Sequence, residues 1–77
     1  MDVKKILITG VSGLVGSVLA ASLKNEYEVT GIDLQDSNLV PTLKADCTIL
    51  DNIMPAFSGI DMVIDLASNP NQYSKWN

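Results

Sequence analysis

The sequence predicts an α/β fold in which about four parallel strands form one sheet with helices packed on its faces. Three observations carry this prediction. Val3 and the run Ile6–Ile8 are apolar and mostly β-branched, as in a central strand covered on both faces. A glycine-rich turn and apolar residues at helical spacing follow. Strand-like and helix-like segments then alternate, so we expect right-handed crossovers and the strand order 3-2-1-4.

The first half of the chain contains the longest predicted elements. The first strand is expected over Met1–Thr9, and the first helix from Gly13 to about Asn25. The second strand follows over Tyr27–Ile32, and we expect its Gly31 to allow close approach by an adenosine group. The apolar positions that suit one side of the first helix are Leu14, Val15, Val18, Leu19 and Leu23.

The second half has shorter elements. Pro41 excludes a long regular element near it, which limits the third strand. Asp51 is the expected N-cap of a short helix through Phe57, although an alternative start places Pro55 in the first turn. The predicted polar connection, third strand and fourth strand are Leu34–Val40, Thr42–Cys47 and Ile60–Ala67.

The glycine-rich turn offers a place for phosphate groups. Gly10 allows a sharp reversal after the strand, and Gly13 leaves room for a pyrophosphate beside the peptide amides. Gly16 lets the helix pack tightly on the strand, and the Ser12 hydroxyl is a further donor. The free amides and the dipole of the first helical turn favour negative charge. The same glycines would suit an ordinary strand–turn–helix junction, so the turn needs supporting context.

An acidic residue at the end of the second strand supplies that context. Asp33 stands about 20 positions beyond the turn, where a carboxylate accepts hydrogen bonds from the hydroxyls of an adenosine ribose. A carboxylate there repels a 2′-phosphate, so the sequence favours NAD over NADP. The alternative interpretation is a solvated aspartate at a strand end. The glycine turn before Asp33 favours the binding role.

Two further segments are candidates for contacts with a dinucleotide. Asp46 can accept a hydrogen bond from an adenine amino group, and the amide of Cys47 can donate to a ring nitrogen. The alternative interpretation is a loop aspartate beside a small buried cysteine, with no binding role for either residue. Leu66, Ala67 and Ser68 follow the fourth strand, where a small side chain would let the backbone approach the nicotinamide-side ribose. Simple strand termination explains these residues equally well.

Two polar features in the last third of the chain are predicted to be non-catalytic. Asp65 lies within an apolar strand, and a buried carboxylate needs a partner or a raised pKa, so we expect a structural hydrogen bond. Tyr73, Ser74 and Lys75 combine a phenol with an ammonium group. Adjacent polar residues of this kind are common in terminal segments, and we expect no catalytic role for them.

Composition narrows the classes of function. The chain has 77 residues and a formal net charge of −4, which argues against a nucleic-acid or anionic-membrane partner. Cys47 is the single cysteine, which excludes an internal disulfide and favours a reducing, cytoplasmic compartment. The sequence contains no histidine, so we expect no transition-metal site. We see no signal peptide and no segment long enough to cross a bilayer.

Together these residues resemble the N-terminal part of the extended short-chain dehydrogenase/reductases, the NAD-dependent epimerase/dehydratase family. The resemblance implies a partial Rossmann fold. It also implies that Leu14 and Val15 contact the pyrophosphate and that Leu34 lies beside the ribose-binding Asp33. The family usually has histidine where Asp65 stands. The segments that carry the resemblance are Thr9–Gly16, Gly31–Leu34, Ala45–Cys47 and Gly59–Ala67.

The family's catalytic Tyr-x-x-x-Lys motif does not occur in the 77 residues. We therefore expect residues 1–77 to form the NAD-binding half-domain of a longer sugar-nucleotide or sugar-acid epimerase, dehydratase or dehydrogenase, inactive alone. A non-catalytic dinucleotide sensor or interaction module is the alternative, and a structural scaffold without nucleotide binding is a third interpretation. The fourth strand should have an unpaired edge, so we also expect self-association.

Overall fold

A computed structural model describes residues 3–46 and 48–67 of the chain. Its strands pair in parallel and lie side by side in the order third, second, first, fourth, which confirms the predicted α/β fold and strand order. The strands are β1 (Lys5–Thr9), β2 (Glu28–Asp33), β3 (Thr42–Lys44) and β4 (Met62–Asp65).

Three of the strands are shorter than predicted. β1 begins at Lys5 instead of Met1, and Met1 itself lies outside the described residues. The carboxylate of Asp61 accepts hydrogen bonds from the amides of Lys4 and Lys5 at 3.0 and 2.9 Å, so a side chain tethers the start of β1. β3 has three residues and β4 has four.

One long helix and one short helical segment connect the strands. Helix α1 spans Leu14–Leu23, and helix α2 spans Leu50–Ile53 and runs into a 3-10 helix over Met54–Phe57. The predicted N-cap at Asp51 is wrong, because Ile49 holds that position and Asp51 lies in the first turn. Pro55 lies in the first turn of the 3-10 helix, as the alternative start predicts, and α2 ends before it because proline lacks the N–H that would continue the helix. In the part of the chain that the structure describes, no helix has the length and apolar character needed to cross a membrane.

The buried side of α1 differs from the predicted side. Of the five apolar positions predicted to share one side of the helix, Leu14, Val15 and Val18 are 87%, 59% and 60% exposed. Small residues allow the helix backbone to approach closely, and these residues decide which side is buried. The residues of α1 that are buried or packed against the core are Gly16, Leu19, Ala20 and Leu23.

The sheet has a hydrophobic cluster on each face, because successive side chains of a strand point to opposite faces. The cluster on the α1 face includes Ile6, Ile8 and Val29. The cluster on the other face joins Leu7 and Ile32 to Ile53 of α2. Burial on both faces explains why β1 is a continuous apolar run, and it holds the ends of the central strands in place.

Candidate functional site

The carboxyl ends of three adjacent strands meet at one edge of the sheet. Thr9, the last residue of β1, is paired with Ile32 of β2 on one side and with Asp65 of β4 on the other. Asp33 is the next residue after Ile32. The parallel register therefore brings Thr9, Asp33 and Asp65 to the same edge, where open α/β sheets bind ligands.

Gly10 makes the sharp reversal that the sequence predicts. Its φ of +74° lies in the left-handed region, which residues other than glycine rarely adopt. Its amide donates to the carbonyl oxygen of Ile32 at 2.8 Å. A Cβ at Gly10 would lie 3.0 Å from the amide nitrogen of Ala67 and from the carbonyl carbon of Leu66. The turn after β1 thus passes directly against the segment after β4.

Two other glycines serve close packing, though against different partners than expected. A Cβ at Gly16 would collide with the carbonyl oxygen of Gly10 and would lie 2.9 Å from Val11 Cα, so the helix packs on the turn itself instead of the strand. A Cβ at Gly31 would lie 2.5 Å from Val11 Cβ. The expected approach of an adenosine group at Gly31 is therefore wrong, because the Val11 side chain fills that space.

The first turn of α1 presents backbone donors with no side-chain cap. Gly13 is the N-cap residue, and as a glycine it has no side chain with which to cap the helix. The first intrahelical hydrogen bond runs from the amide of Ser17 to the carbonyl of Gly13. The amides of Leu14 and Val15 come before it and so have no acceptor within the helix. A Cβ at Gly13 would lie 3.3 Å from Gly10 O, so a side chain there would crowd the turn. These features suit a diphosphate.

A cleft of about 340 Å³ opens between this turn and the end of β4. The glycine turn and the start of α1 form one wall, and the segment after β4 forms the other. Leu14 and Val15 present exposed apolar side chains at its rim. The described residues that line the cleft are Gly10, Gly13, Leu14, Val15, Gly16, Asp65, Leu66 and Ala67. The cleft therefore brings seven predicted site residues together and adds Asp65.

The Asp33 carboxylate lies beside the glycine turn and is held by backbone donors. Its Oδ2 accepts from the amide of Ser12 at 3.1 Å, and its Oδ1 accepts from the amides of Leu34 and Gln35 at 2.7 and 3.3 Å. The amide of Ser12 is thus engaged by Asp33. Leu34 places its amide on this carboxylate while its side chain is 71% exposed.

These hydrogen bonds keep Asp33 ionised. Partial burial raises the pKa of Asp33, but hydrogen bonds from Ser12, Gln35 and Leu34 together outweigh it and lower the pKa below the ordinary value of 3.8. An ionised carboxylate accepts hydrogen bonds and donates none. A group of this kind suits sugar hydroxyls and disfavours a second negative charge.

Asp46 lies on the Asp33 side of the edge, away from the cleft. The amide of Ala45 donates to the Asp33 carbonyl at 3.0 Å, which places the next residue beside the end of β2. The Asp46 carboxylate accepts from the hydroxyl and amide of Thr48 at 2.7 and 2.9 Å, and these bonds lower the pKa of Asp46. Of the other predicted contacts, Cys47 and Ser68 lie outside the described residues, as do Tyr73, Ser74 and Lys75.

Thr9 and Asp65 form a contact that the sequence predicts only in outline. The Thr9 hydroxyl donates to Asp65 Oδ1, so Asp65 has the expected structural hydrogen bond. Asp65 is exposed, whereas a buried position was expected. Sequence reasoning assigned no role to the Thr9 side chain or to Val11. The available signal was a hydroxyl residue ending an otherwise apolar strand directly before the turn.

Comparison with known proteins agrees with this geometry. The model of the NAD dependent epimerase/dehydratase family matches residues 6–77. The chain is also similar to the L-arabinose 1-dehydrogenase (NAD(P)(+)) of Haloferax volcanii, with 33% identity over 73 residues. That match covers 95% of this chain and 29% of the relative.

Solved structures show the same fold. A short-chain dehydrogenase/reductase superfamily protein from Agrobacterium tumefaciens with bound NAD has a TM-score of 0.77 and 25% identity, over 92% of this chain and 24% of that one. The L-threonine dehydrogenase of Clostridium difficile has a TM-score of 0.80 and 26% identity, over 100% of this chain and 28% of that one. The chain therefore spans 24% to 29% of the length of these relatives.

Proposed function

Because the chain belongs to the NAD-dependent epimerase/dehydratase family, whose cofactor is NAD, we propose that it is the NAD(H)-binding portion of an enzyme acting on a sugar nucleotide or sugar acid. The observation that carries the proposal is the Asp33 carboxylate, fixed 3.1 Å from the Ser12 amide beside the open glycine turn. The similarity to an arabinose dehydrogenase supports a sugar-like substrate.

The proposed diphosphate site is the start of α1. The diphosphate accepts hydrogen bonds from the amides of Leu14 and Val15, and the helix dipole favours its charge. Gly13 leaves the turn without a side chain at this point, Gly16 lets the helix pack against the turn, and Gly10 positions the turn. The Ser12 hydroxyl is a further donor in this proposal. The apolar side chains of Leu14 and Val15, exposed in the described fold, are partly covered by the ligand.

The two nucleoside ends lie on opposite sides of the turn in this proposal. Asp33 holds the adenosine ribose, with Leu34 beside it, and Asp46 with Cys47 binds adenine near the end of β3. The backbone of Leu66, Ala67 and Ser68 approaches the nicotinamide-side ribose across the cleft. The bound cofactor supplies the hydride acceptor for chemistry at a substrate carbon.

We further propose that residues 1–77 form a half-domain that binds NAD without catalysing a reaction alone. No Tyr-x-x-x-Lys motif stands in these residues, so they lack a proton-transfer pair of that type. The same observation favours the second candidate, a non-catalytic dinucleotide sensor or interaction module. Sequencing the gene beyond the codon for Asn77 separates the two, because only the enzyme encodes the motif downstream.

Two properties of the whole chain complete the proposal. We propose that it self-associates, because β4 is an outer strand of the described sheet and both Met62 and Val63 are 44% exposed. We also propose a cytoplasmic location, which the single cysteine supports.

Calorimetric titration of the full chain with NAD tests the proposal. We expect measurable binding that Gly13→Val weakens at least about tenfold, because the valine side chain crowds the glycine turn at the Gly10 carbonyl oxygen, next to the proposed diphosphate site. Ala21→Val is the matched control, since it adds the same side chain at an exposed α1 position. Circular dichroism verifies that each variant is folded. No binding by the unaltered chain, or equal binding by Gly13→Val, would overturn the proposal.

A further inference from the structure

The hydroxyl of Thr9 makes three hydrogen bonds between the ends of β1 and β4. It donates to Asp65 Oδ1 and accepts from the amides of Leu66 and Ala67 at 3.1 and 3.3 Å. Thr9 is buried, with 5% of its surface exposed. A hydroxyl group has one donor and two acceptor sites. All three sites of Thr9 are therefore used within the fold.

Asp65 decides how this hydroxyl is oriented. Asp65 Oδ1 accepts the single hydrogen of the Thr9 hydroxyl, so the lone pairs of that hydroxyl are directed elsewhere. Those lone pairs meet the amides of Leu66 and Ala67.

The segment that Thr9 holds is one wall of the cleft. The Leu66 amide has a second acceptor, the Thr9 carbonyl at 3.0 Å. The described contact of the Ala67 amide is with the Thr9 hydroxyl. Gly10 also lies against this segment, since a Cβ on Gly10 would lie 3.0 Å from Ala67 N. A shift of Ala67 would therefore change the width of the cleft beside the glycine turn.

We propose that Asp65 is a positioning residue, which acts through Thr9 to fix the Leu66–Ala67 backbone and thereby the wall of the cleft against which the cofactor lies. The cofactor part of this inference rests on the proposed NAD-binding function. Asp65 itself need not touch the cofactor. Its carboxylate acts as a hydrogen-bond acceptor, and its charge is not required for the interaction with Thr9.

Hydrogen exchange measured by NMR on the full chain tests the positioning role without a ligand. We expect Asp65→Ala to speed exchange of the Ala67 amide about tenfold relative to the Leu7 amide in the middle of β1. Asp65→Asn should restore protection, because an amide oxygen also accepts from a hydroxyl. Asp61→Ala is the matched control, since it removes a carboxylate that holds the backbone amides of Lys4 and Lys5 at the start of β1, far from Ala67 along β4.

Titration with NAD tests the consequence for the cleft. Asp65→Ala should weaken binding about five- to tenfold, and Asp65→Asn should bind like the unaltered chain. Thr9→Val should weaken binding similarly, and adding Asp65→Ala to Thr9→Val should have little further effect, since Asp65 acts through Thr9. Thr9→Ser, which keeps the hydroxyl, should preserve binding.

The outcomes separate this inference from the proposed function. If the unaltered chain binds no NAD, the proposed function fails, while the exchange of Ala67 still tests the link from Asp65 through Thr9. If Asp65→Ala leaves Ala67 as protected as before, the positioning role is overturned. Equal loss of NAD binding in Asp65→Asn and Asp65→Ala would also overturn it, because a direct role of the charge would then explain the effect.

Discussion

The side chain of Val11 occupies the space that a side chain at Gly31 would need. Val11 is completely buried, and a Cβ at Gly31 would lie 2.5 Å from Val11 Cβ and 2.8 Å from Val11 Cγ2. The glycine turn is thus seated on β2 by one valine in contact with a backbone that carries no side chain. This contact sets the height of the turn above the sheet, beside Asp33.

Gly31→Ala should destabilise the fold by about 1–3 kcal/mol, because the new methyl group overlaps Val11 and the turn must move. Urea denaturation followed by circular dichroism measures the change. In a Val11→Ala background both γ-carbons are absent, so the effect of Gly31→Ala should be smaller there. Equal effects in the two backgrounds would show that the γ-carbons of Val11 are not the obstacle.

The two adjacent alanines of α1 should respond differently to enlargement. Ala20 is fully buried against the sheet, so Ala20→Leu should lower the free energy of unfolding by about 1–3 kcal/mol. Ala21 is exposed, so Ala21→Leu should change it by less than about 0.5 kcal/mol. Thermal and urea unfolding of both variants test this difference. Similar losses at both positions would contradict the observed orientation of the helix.

The lowered pKa of Asp33 predicts a stability that declines in acid. Ionised Asp33 stabilises the folded state above its ordinary pKa of 3.8, and this contribution is lost as the pH falls through the lower pKa of the folded state. Asp33→Asn cannot titrate, so its stability should fall less steeply between about pH 6 and about pH 3. Urea midpoints across this range measure the difference. Parallel curves for the two proteins would contradict the prediction.

Asp33 should also govern the choice between NAD and NADP, given the proposed function. The carboxylate repels a 2′-phosphate, so the chain should bind NAD more tightly than NADP. Asp33→Asn removes the charge with little change of shape, and the preference should shrink by about tenfold. Competition titrations with the two nucleotides measure it. A preference that survives in Asp33→Asn would place the discrimination elsewhere.

Self-association through the edge of β4 is expected at high protein concentration. Val63→Lys places a charge on that strand and should shift the chain toward monomer in sedimentation equilibrium. Val18→Lys is the control, because it places the same charge at an exposed position of α1. A monomeric unaltered chain at high concentration would show that the edge does not pair.

Much of the fold could be predicted because its signals are local. The apolar run at Ile6–Ile8, the glycines and Asp33 each occupy the element that their pattern predicts, since strand burial and backbone reversal depend on neighbouring residues. Strand order followed from the same alternation, because crossovers in parallel sheets have one favoured hand. Asp51 was misassigned as an N-cap because α2 begins one residue earlier, at Leu50, which places Asp51 within its first turn.

By itself the sequence determined the α/β class, the strand order and the residues that surround the turn, because periodicity and glycine spacing act over a few positions. Only the tertiary structure decided which side of α1 is buried, which neighbour each glycine accommodates, and that Thr9 and Asp65 meet across 56 positions. Those outcomes depend on contacts between residues far apart in the chain. Close packing buries Ala20 instead of Val18 in α1, and it fills the space beside Gly31 with the side chain of Val11 instead of a ligand. Local sequence patterns do not encode these outcomes.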